Sequence, residues 1–150
     1  MRRLAVLVLM LAAPAFAQAP PKAAPDKPYA VDYYYKVQWG RQDEFLRLFK
    51  KNHYPILKKQ MAANRVLGVS MTAPENHMTE DARWDFRVSI VYRNTGVVHE
   101  PFDTEAAIRQ LYPDRATFDR EEQRRFGILL AHWDLPLAPV DLGQAPEPMP

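Results

Sequence analysis

Residues 29–39 show the clearest pattern in the chain, an alternation of large apolar side chains with smaller or polar ones. The odd positions are Tyr29, Val31, Tyr33, Tyr35, Val37 and Trp39, and the even positions include Asp32, Lys36 and Gln38. Because successive side chains of a strand point to opposite faces, this pattern predicts a β-strand with one packing face. Residues 84–93 repeat it, so we expect the two strands to pair in one antiparallel sheet, with their aromatic faces aligned.

Residues 42–61 follow a helical period instead. The apolar residues recur at steps of three and four and fall on one side of a helix: Phe45, Leu48, Phe49, Ile56 and Leu57. Pro55 has no N–H for the carbonyl of Lys51, so the helix should kink there or start again. Asn52 and His53 project into the apolar sector, and we expect both to face inward.

The remaining elements are shorter or less regular. They are a strand over 65–73, a polar loop over 74–83, a helix over 104–112 capped by Asp103, a helix over 115–132 and an edge strand over 134–140. The polar loop carries Asn76, His77 and Glu80, and it forms either a flap over a pocket or an ordinary solvent loop.

The predicted order is therefore strand, helix, strand, strand, helix, strand. This βαββαβ order is that of a ferredoxin-like α+β sandwich, in which helices cover one face of a four-stranded antiparallel sheet. The other face is mixed: Asp32, Lys36, Gln38, Asp85, Arg87 and Ser89, together with Tyr34 and Val91. Pairing with a second copy would bury this face, whereas a monomer would leave it in water, and we favour the homodimer.

The two ends of the chain have a different composition. Residues 1–17 combine Arg2 and Arg3, an apolar run and a small-x-small site, which indicates a secretory signal peptide or, alternatively, a short membrane-retained anchor. Residues 18–28 are a Pro/Ala linker, residues 29–140 the folded domain, and residues 141–150 a tail expected to be disordered. We therefore expect a periplasmic or secreted protein that does not remain in a membrane after cleavage.

Composition narrows the class of protein. The chain has no Cys, so neither a disulfide nor a lipidated cysteine is available, and its core must hold it together. Its formal charge is +2, but removal of Arg2 and Arg3 leaves a neutral chain. A neutral chain with interspersed charges has no electrostatic footprint for nucleic acid.

Two inward-facing polar residues are candidates for chemistry. His53 lies on the first helix, and Glu122 falls at the centre of the apolar stripe of the helix over 115–132. A buried imidazole and a buried carboxylate both need partners. His53 either is satisfied by the core or lines a cavity, and Glu122 either is functional, pairs with Arg125 or Arg87, or reaches water.

The run of residues 45–57, which contains His53, Pro55 and Ile56 in an F…H-x-P-(I/L) pattern, resembles the dimeric α/β-barrel superfamily, especially its EthD-like branch. The resemblance covers residues 29–140 in element order. It implies a homodimer with a pocket between the helices and the sheet of each subunit. Members include cofactor-free monooxygenases, haem-degrading enzymes, cyclases and decarboxylases, so the fold does not choose the reaction.

In such a pocket, His53 and Glu122 would face each other with Asn52 beside them. Tyr33, Tyr35 or Trp84 would supply an aromatic floor if the strongly apolar sheet face is the one under the helices, and His77 could approach from the loop. A carboxylate beside the imidazole would raise its basicity, which makes His53 a candidate general base or acid in catalysis, with Glu122 as its partner.

Other chemistries lack a motif. The chain has no G-x-S-x-G, H-E-x-x-H, C-x-x-C or Gly-rich nucleotide loop, and no metal site is predicted because its four histidines have no ligand spacing. We expect no cofactor, with haem bound through His53 as the alternative. Two functions remain: a cofactor-free enzyme acting on a small aromatic or polyketide-like compound, or a non-catalytic binding or stress-associated homodimer.

Overall fold

Four strands form one antiparallel sheet in the computed structural model, which describes residues 27–76 and 78–143. The strands are β1 (Tyr29–Val37), β2 (Val66–Thr72), β3 (Phe86–Tyr92) and β4 (Leu129–Leu137). They are ordered β2-β3-β1-β4, which confirms the predicted ferredoxin-like arrangement. The predicted signal peptide, His77 and most of the linker and tail lie outside the described residues.

The helices are α1 (Gln42–Leu48), a π-helix (Phe49–His53), α2 (Tyr54–Ala62), α3 (Thr95–His99), α4 (Thr104–Leu111) and α5 (Arg115–Gly127). Asp103 caps α4 as predicted, because its carboxylate accepts from the N–H of Ala106 at 2.8 Å. The five-residue helix α3 was not predicted. The amide oxygen of Asn94 caps it by accepting from the N–H of Val97.

Strand β1 is the central element, since β3 and β4 pair with its two edges. Its odd-numbered face lies under the helices, as the aromatic alternation predicts. The main core joins this face to the first helical segment and the neighbouring strands: Tyr35, Val37, Phe45, Phe49, Leu57, Val66, Phe86, Val88, Ile90 and Ile128. Its even-numbered face carries Asp32 and Tyr34.

Pro55 has the effect that its missing N–H predicts. The helix continues through residues 42–62 but widens into the π-helix just before the proline, and the N–H of Tyr54 donates to the carbonyl of Phe49. The carbonyls of Lys51 and Asn52 then accept from the Tyr112 hydroxyl at 2.9 and 2.8 Å. A residue distant in sequence thus supplies a donor to the Lys51 carbonyl, for which Pro55 has no N–H.

The prediction for the last helix and strand was wrong in its boundaries. Helix α5 ends at Gly127, and β4 begins at Leu129, so the segment predicted as the end of the helix is extended. Pairing of β4 with β1 outweighs the helical apolar spacing that suggested a longer α5. As a result, Trp133 lies on the sheet rather than on the inner face of α5.

Trp84 also departs from its predicted position. It precedes β3, and its ring makes an edge contact with Tyr34 at a centroid distance of 5.4 Å. Since Tyr34 lies on the even-numbered face of β1, Trp84 does not line the floor under the helices. Within the described residues, no helix is long and apolar enough to span a membrane.

The contact of Tyr112 with the π-helix is testable. We expect Tyr112→Phe to lower the free energy of unfolding by about 1 kcal/mol, because two carbonyls lose their donor while the ring packing is kept. Urea denaturation measures the change. Tyr54→Phe is the matched control, since the Tyr54 hydroxyl has no described hydrogen bond, and an equal loss in both variants would contradict the assignment.

Candidate functional site

His53 ends the π-helix and lies half-buried against the sheet side of the helical layer. Its ring packs on Phe49 at a centroid distance of 5.1 Å, and neither ring nitrogen has a hydrogen-bond partner in residues 27–76 and 78–143. Burial lowers the pKa of His53 to about 4, with further contributions from the charges of Arg125 and His132. The imidazole is therefore neutral near pH 7 and offers one acceptor and one donor.

Tyr35 on β1 is linked to this imidazole through Phe49, which contacts both rings. Its ring stacks on His132 at 4.3 Å and contacts Phe49 edge-on at 6.2 Å, so that His132, Tyr35, Phe49 and His53 form a continuous row of rings. The Tyr35 hydroxyl has no hydrogen-bond partner among the described residues. Burial raises the pKa of Tyr35 to about 12, and the opposing charge of Arg125 does not cancel this effect. The hydroxyl keeps its proton and remains available as a donor.

Glu122 does not bind His53. Both of its carboxylate oxygens accept from Arg125, at 2.9 and 2.6 Å, which is the ion-pair alternative for this residue. Arg125 is only 1% exposed, so its charge acts on its surroundings with little screening by water. Because this cation and burial both disfavour the imidazolium, the expected rise in the basicity of His53 is wrong.

Asn52 is fully buried at the contact of the π-helix with α5. Its amide nitrogen donates to Glu121 at 3.0 Å, and the same carboxylate accepts from Lys51 at 2.6 Å. The amide oxygen of Asn52 has no partner in the described part of the chain. An unpaired buried oxygen of this kind requires a water or a ligand donor to offset its desolvation.

Three residues beside His53 were not predicted as site residues. His132 places Nδ1 2.8 Å from the carbonyl oxygen of Tyr34 and Nε2 3.2 Å from the Asp134 carboxylate. Tyr92 shares a 2.9 Å hydrogen bond with the predicted floor residue Tyr33, whose pKa is raised mainly by burial. The sequence does carry a signal for His132 and Asp134. They are two positions apart, so in a strand both side chains lie on one face.

The loop predicted as a flap helps to line a cavity that does not include His53. Arg83 is buried and binds Asp85 through Nη1 at 2.6 and 2.8 Å, while its guanidinium lies over the ring of Trp39 at 4.2 Å. A cavity of about 270 Å³ lies beside this clamp, lined by Trp39, Gln42, Pro74, Asn76, Met78 and Trp84 among others. Its walls do not include His53, so Trp84 and Asn76 belong to another surface.

Chemically, the row from His53 to His132 combines a neutral imidazole and a protonated phenol, and the buried guanidinium of Arg125, paired with Glu122, acts on both. These groups suit a ligand that presents an acidic hydroxyl or a carbonyl on an aromatic body. Within the described residues, no group of three or more His, Cys, Asp or Glu side chains is placed to hold a metal ion.

The effect of Arg125 on His53 can be measured. We expect Arg125→Met combined with Glu122→Gln to raise the pKa of His53 above about 4, because the nearby cation is removed and no carboxylate is left unpaired, while burial, the larger cause of the low pKa, remains. NMR titration of the ring protons reports the midpoint. Arg124→Met with Glu44→Gln removes a matched but exposed pair and should leave His53 unchanged; equal midpoints in all three proteins would disprove the coupling.

The sequence matches no known family profile and no curated protein. Solved structures do match the fold. A dimeric ferredoxin-like protein from an uncultured marine organism has a TM-score of 0.51 and 6% identity, over 81% of this chain and 97% of that one. A Caulobacter crescentus protein named for the antibiotic biosynthesis monooxygenases has a TM-score of 0.48 and 17% identity, over 78% and 93%. The similarity to the marine protein supports the ferredoxin-like fold alone, and the EthD-like branch stays a prediction.

Proposed function

We propose that the protein is a homodimer that binds a small aromatic compound carrying a phenolic or enolic hydroxyl at His53 and Tyr35. The observation that carries the proposal is the absence of hydrogen-bond partners, in the described part of the chain, for both His53 ring nitrogens and the Tyr35 hydroxyl. Buried or half-buried polar groups are normally paired, and an open pair at a binding site is completed by the ligand.

The protonation states support this ligand class. Neutral His53 accepts from an acidic O–H, and Tyr35 donates to an oxygen of the same molecule. Phe49, Tyr33 and the Tyr35 ring provide the apolar and aromatic contacts. Arg125 favours a hydroxyl that gives up its proton, because a phenolate or enolate beside the guanidinium is stabilised by its charge.

The even-numbered sheet face supports the homodimer. On β4, Trp133, Leu135 and Leu137 point to this face and are 36%, 45% and 42% exposed. Trp133 stacks on Tyr34 at 5.3 Å, and the stripe continues to the ring of Trp84. An apolar stripe on one sheet face is typical of an interface, and the marine neighbour is described as dimeric.

Residues 1–17 support export of the protein to the periplasm or beyond, since a charged start, an apolar run and a small-x-small site are the pattern of a signal peptide.

Neutral His53 would also suit an axial haem ligand. A Soret band in the protein as purified would favour haem over the aromatic ligand.

The ligand proposal is tested with two probes, 2-naphthol and its methyl ether, 2-methoxynaphthalene. The ether has the same ring system but no O–H to donate. We expect 2-naphthol to bind more tightly than the ether, and His53→Phe to weaken 2-naphthol binding about tenfold, the effect of one hydrogen bond of about 1.4 kcal/mol. Isothermal titration calorimetry measures both. Phenylalanine keeps the packing on Phe49 but offers no acceptor.

His99→Phe makes the same change at an exposed histidine in α3 and should bind 2-naphthol as the wild type does. Equal affinities for naphthol and its ether in the wild type would refute the proposed role of His53.

The dimer is tested by Leu135→Glu. This change puts a carboxylate opposite Asp32 on the even-numbered sheet face, so that two like charges would have to be buried in the interface. Sedimentation equilibrium should give twice the protomer mass for the wild type and one protomer mass for the variant. Leu142→Glu, at a position 93% exposed beyond the sheet, should remain dimeric. A monomeric wild type would rule out the interface.

A further inference from the structure

His132 is held at both ring nitrogens by groups that only accept hydrogen bonds. Nδ1 lies 2.8 Å from the Tyr34 carbonyl, and Nε2 lies 3.2 Å from the Asp134 carboxylate. A neutral imidazole can donate from only one nitrogen, so the protonated ring alone satisfies both partners. His53 is in the opposite situation, since it has no acceptor beside it and lies near the cation Arg125.

The two imidazoles belong to one site. His132 stacks on Tyr35 with an interplanar angle of 12°, Tyr35 contacts Phe49, and Phe49 packs on His53. The charge of His132 is itself one of the influences that lower the pKa of His53. The contacts of His132, an acceptor at each ring nitrogen, suit a hydrogen-bond donor, whereas the neutral ring of His53 has a nitrogen that can accept. Groups whose surroundings drive them to opposite protonation states are the usual acid and base of a catalytic site.

We propose that His53 and His132 act as proton acceptor and proton donor on one bound molecule, and that the protein enolises ketones whose acidic C–H lies between the carbonyl and an aromatic ring. This inference rests on the proposed function, because it uses the same ligand site. It adds a reaction class and a second catalytic residue.

The step needs no oxidant and no cofactor. The C–H bond next to the ketone breaks, and its proton forms an N–H bond on His53. The electron pair of that bond becomes the C=C bond of the enol, while the carbonyl π pair moves onto oxygen and takes a proton from Nε2 of His132. Afterwards His53 returns one proton to solvent and His132 gains one, so the net change is ketone to enol.

Nε2 is the nitrogen of His132 that can serve a ligand. Nδ1 is fixed on the backbone of β1, whereas the Asp134 side chain at Nε2 is 53% exposed and can move towards water. The titratable or charged groups around His132 include Tyr33 and Tyr35 on β1, His53 on the π-helix and Asp134 on β4. Arg125 and Glu122 on α5 and Tyr92 on β3 act on the stacked Tyr35. Among these groups, Asp134 is the anion in contact with Nε2.

The probe is 2-tetralone, a ketone with the ring system of 2-naphthol. Proton NMR in D₂O follows the loss of its C1 proton signal, and the rate in buffer alone is subtracted. We expect the wild type to exchange this proton with saturation, and His53→Gln and His132→Gln each to slow exchange about a hundredfold. His132→Gln should still bind 2-naphthol, because His53 and Tyr35 are unchanged.

Two substitutions of the same kind serve as controls. His99→Gln changes an exposed histidine of α3, and Asp119→Asn changes an exposed carboxylate paired with Arg115; both should exchange at the wild-type rate. A wild type that binds 2-naphthol but does not accelerate exchange would overturn this inference and leave the proposed function standing. A wild type that does neither would overturn both.

The pH profile separates catalysis by His132 from a purely structural role. A general acid acts only in its protonated form, so the wild-type rate should fall as the pH rises, and His132→Gln should lack this fall. An unchanged profile in His132→Gln, or full activity in this variant, would exclude His132 as the donor.

Discussion

Pairing of β1 with both β3 and β4 is the constraint on which the other features of the molecule depend. Because the strand is central, each of its side chains is fixed to one face by ladders on both edges. Tyr33 and Tyr35 are thereby directed under the helices, and Asp32 and Tyr34 to the opposite face. One strand thus supplies both the floor of the ligand site and the centre of the proposed interface, and a shift of one residue would exchange them.

The first helical segment shows how a local rule, the missing N–H of Pro55, fixes the position of the candidate site residue His53. The absence of an N–H at Pro55 predicts a disturbed turn, and the structure resolves it as a π-helix that ends at His53. Such widened turns are rare in helices and frequent at functional sites. The local rule predicts that the Lys51 carbonyl loses its helical donor, but it does not predict that Tyr112 replaces this donor, because that contact depends on how the later helices return to the sheet.

Patterns of period two and 3.6 predicted the order of the elements and the face of β1 that is buried, since both follow from which side chains must leave water. The boundary near Gly127 was missed because Leu129 and Trp133 fit a helical stripe as well as a strand, and only pairing with β1 decides between them. That error hid His132 and Asp134, which are neighbours only in an extended chain. Arg125 was considered as an ion-pair partner, but its burial and its effect on His53 depend on tertiary packing.

The electrostatics of the site depend on whether Glu122 pairs with Arg125 or with His53. A guanidinium three residues further along α5 offers two parallel N–H donors to the carboxylate, whereas a single imidazole offers one, so the bidentate pair forms. The imidazole is then left unpaired beside a buried cation and stays neutral. A bound enolate or phenolate would reverse this balance, because its negative charge compensates Arg125 and favours the protonated form of His53. The charge of the ligand, and not the contacts that make His53 a weak base in the free protein, would therefore allow His53 to keep a proton taken from that ligand.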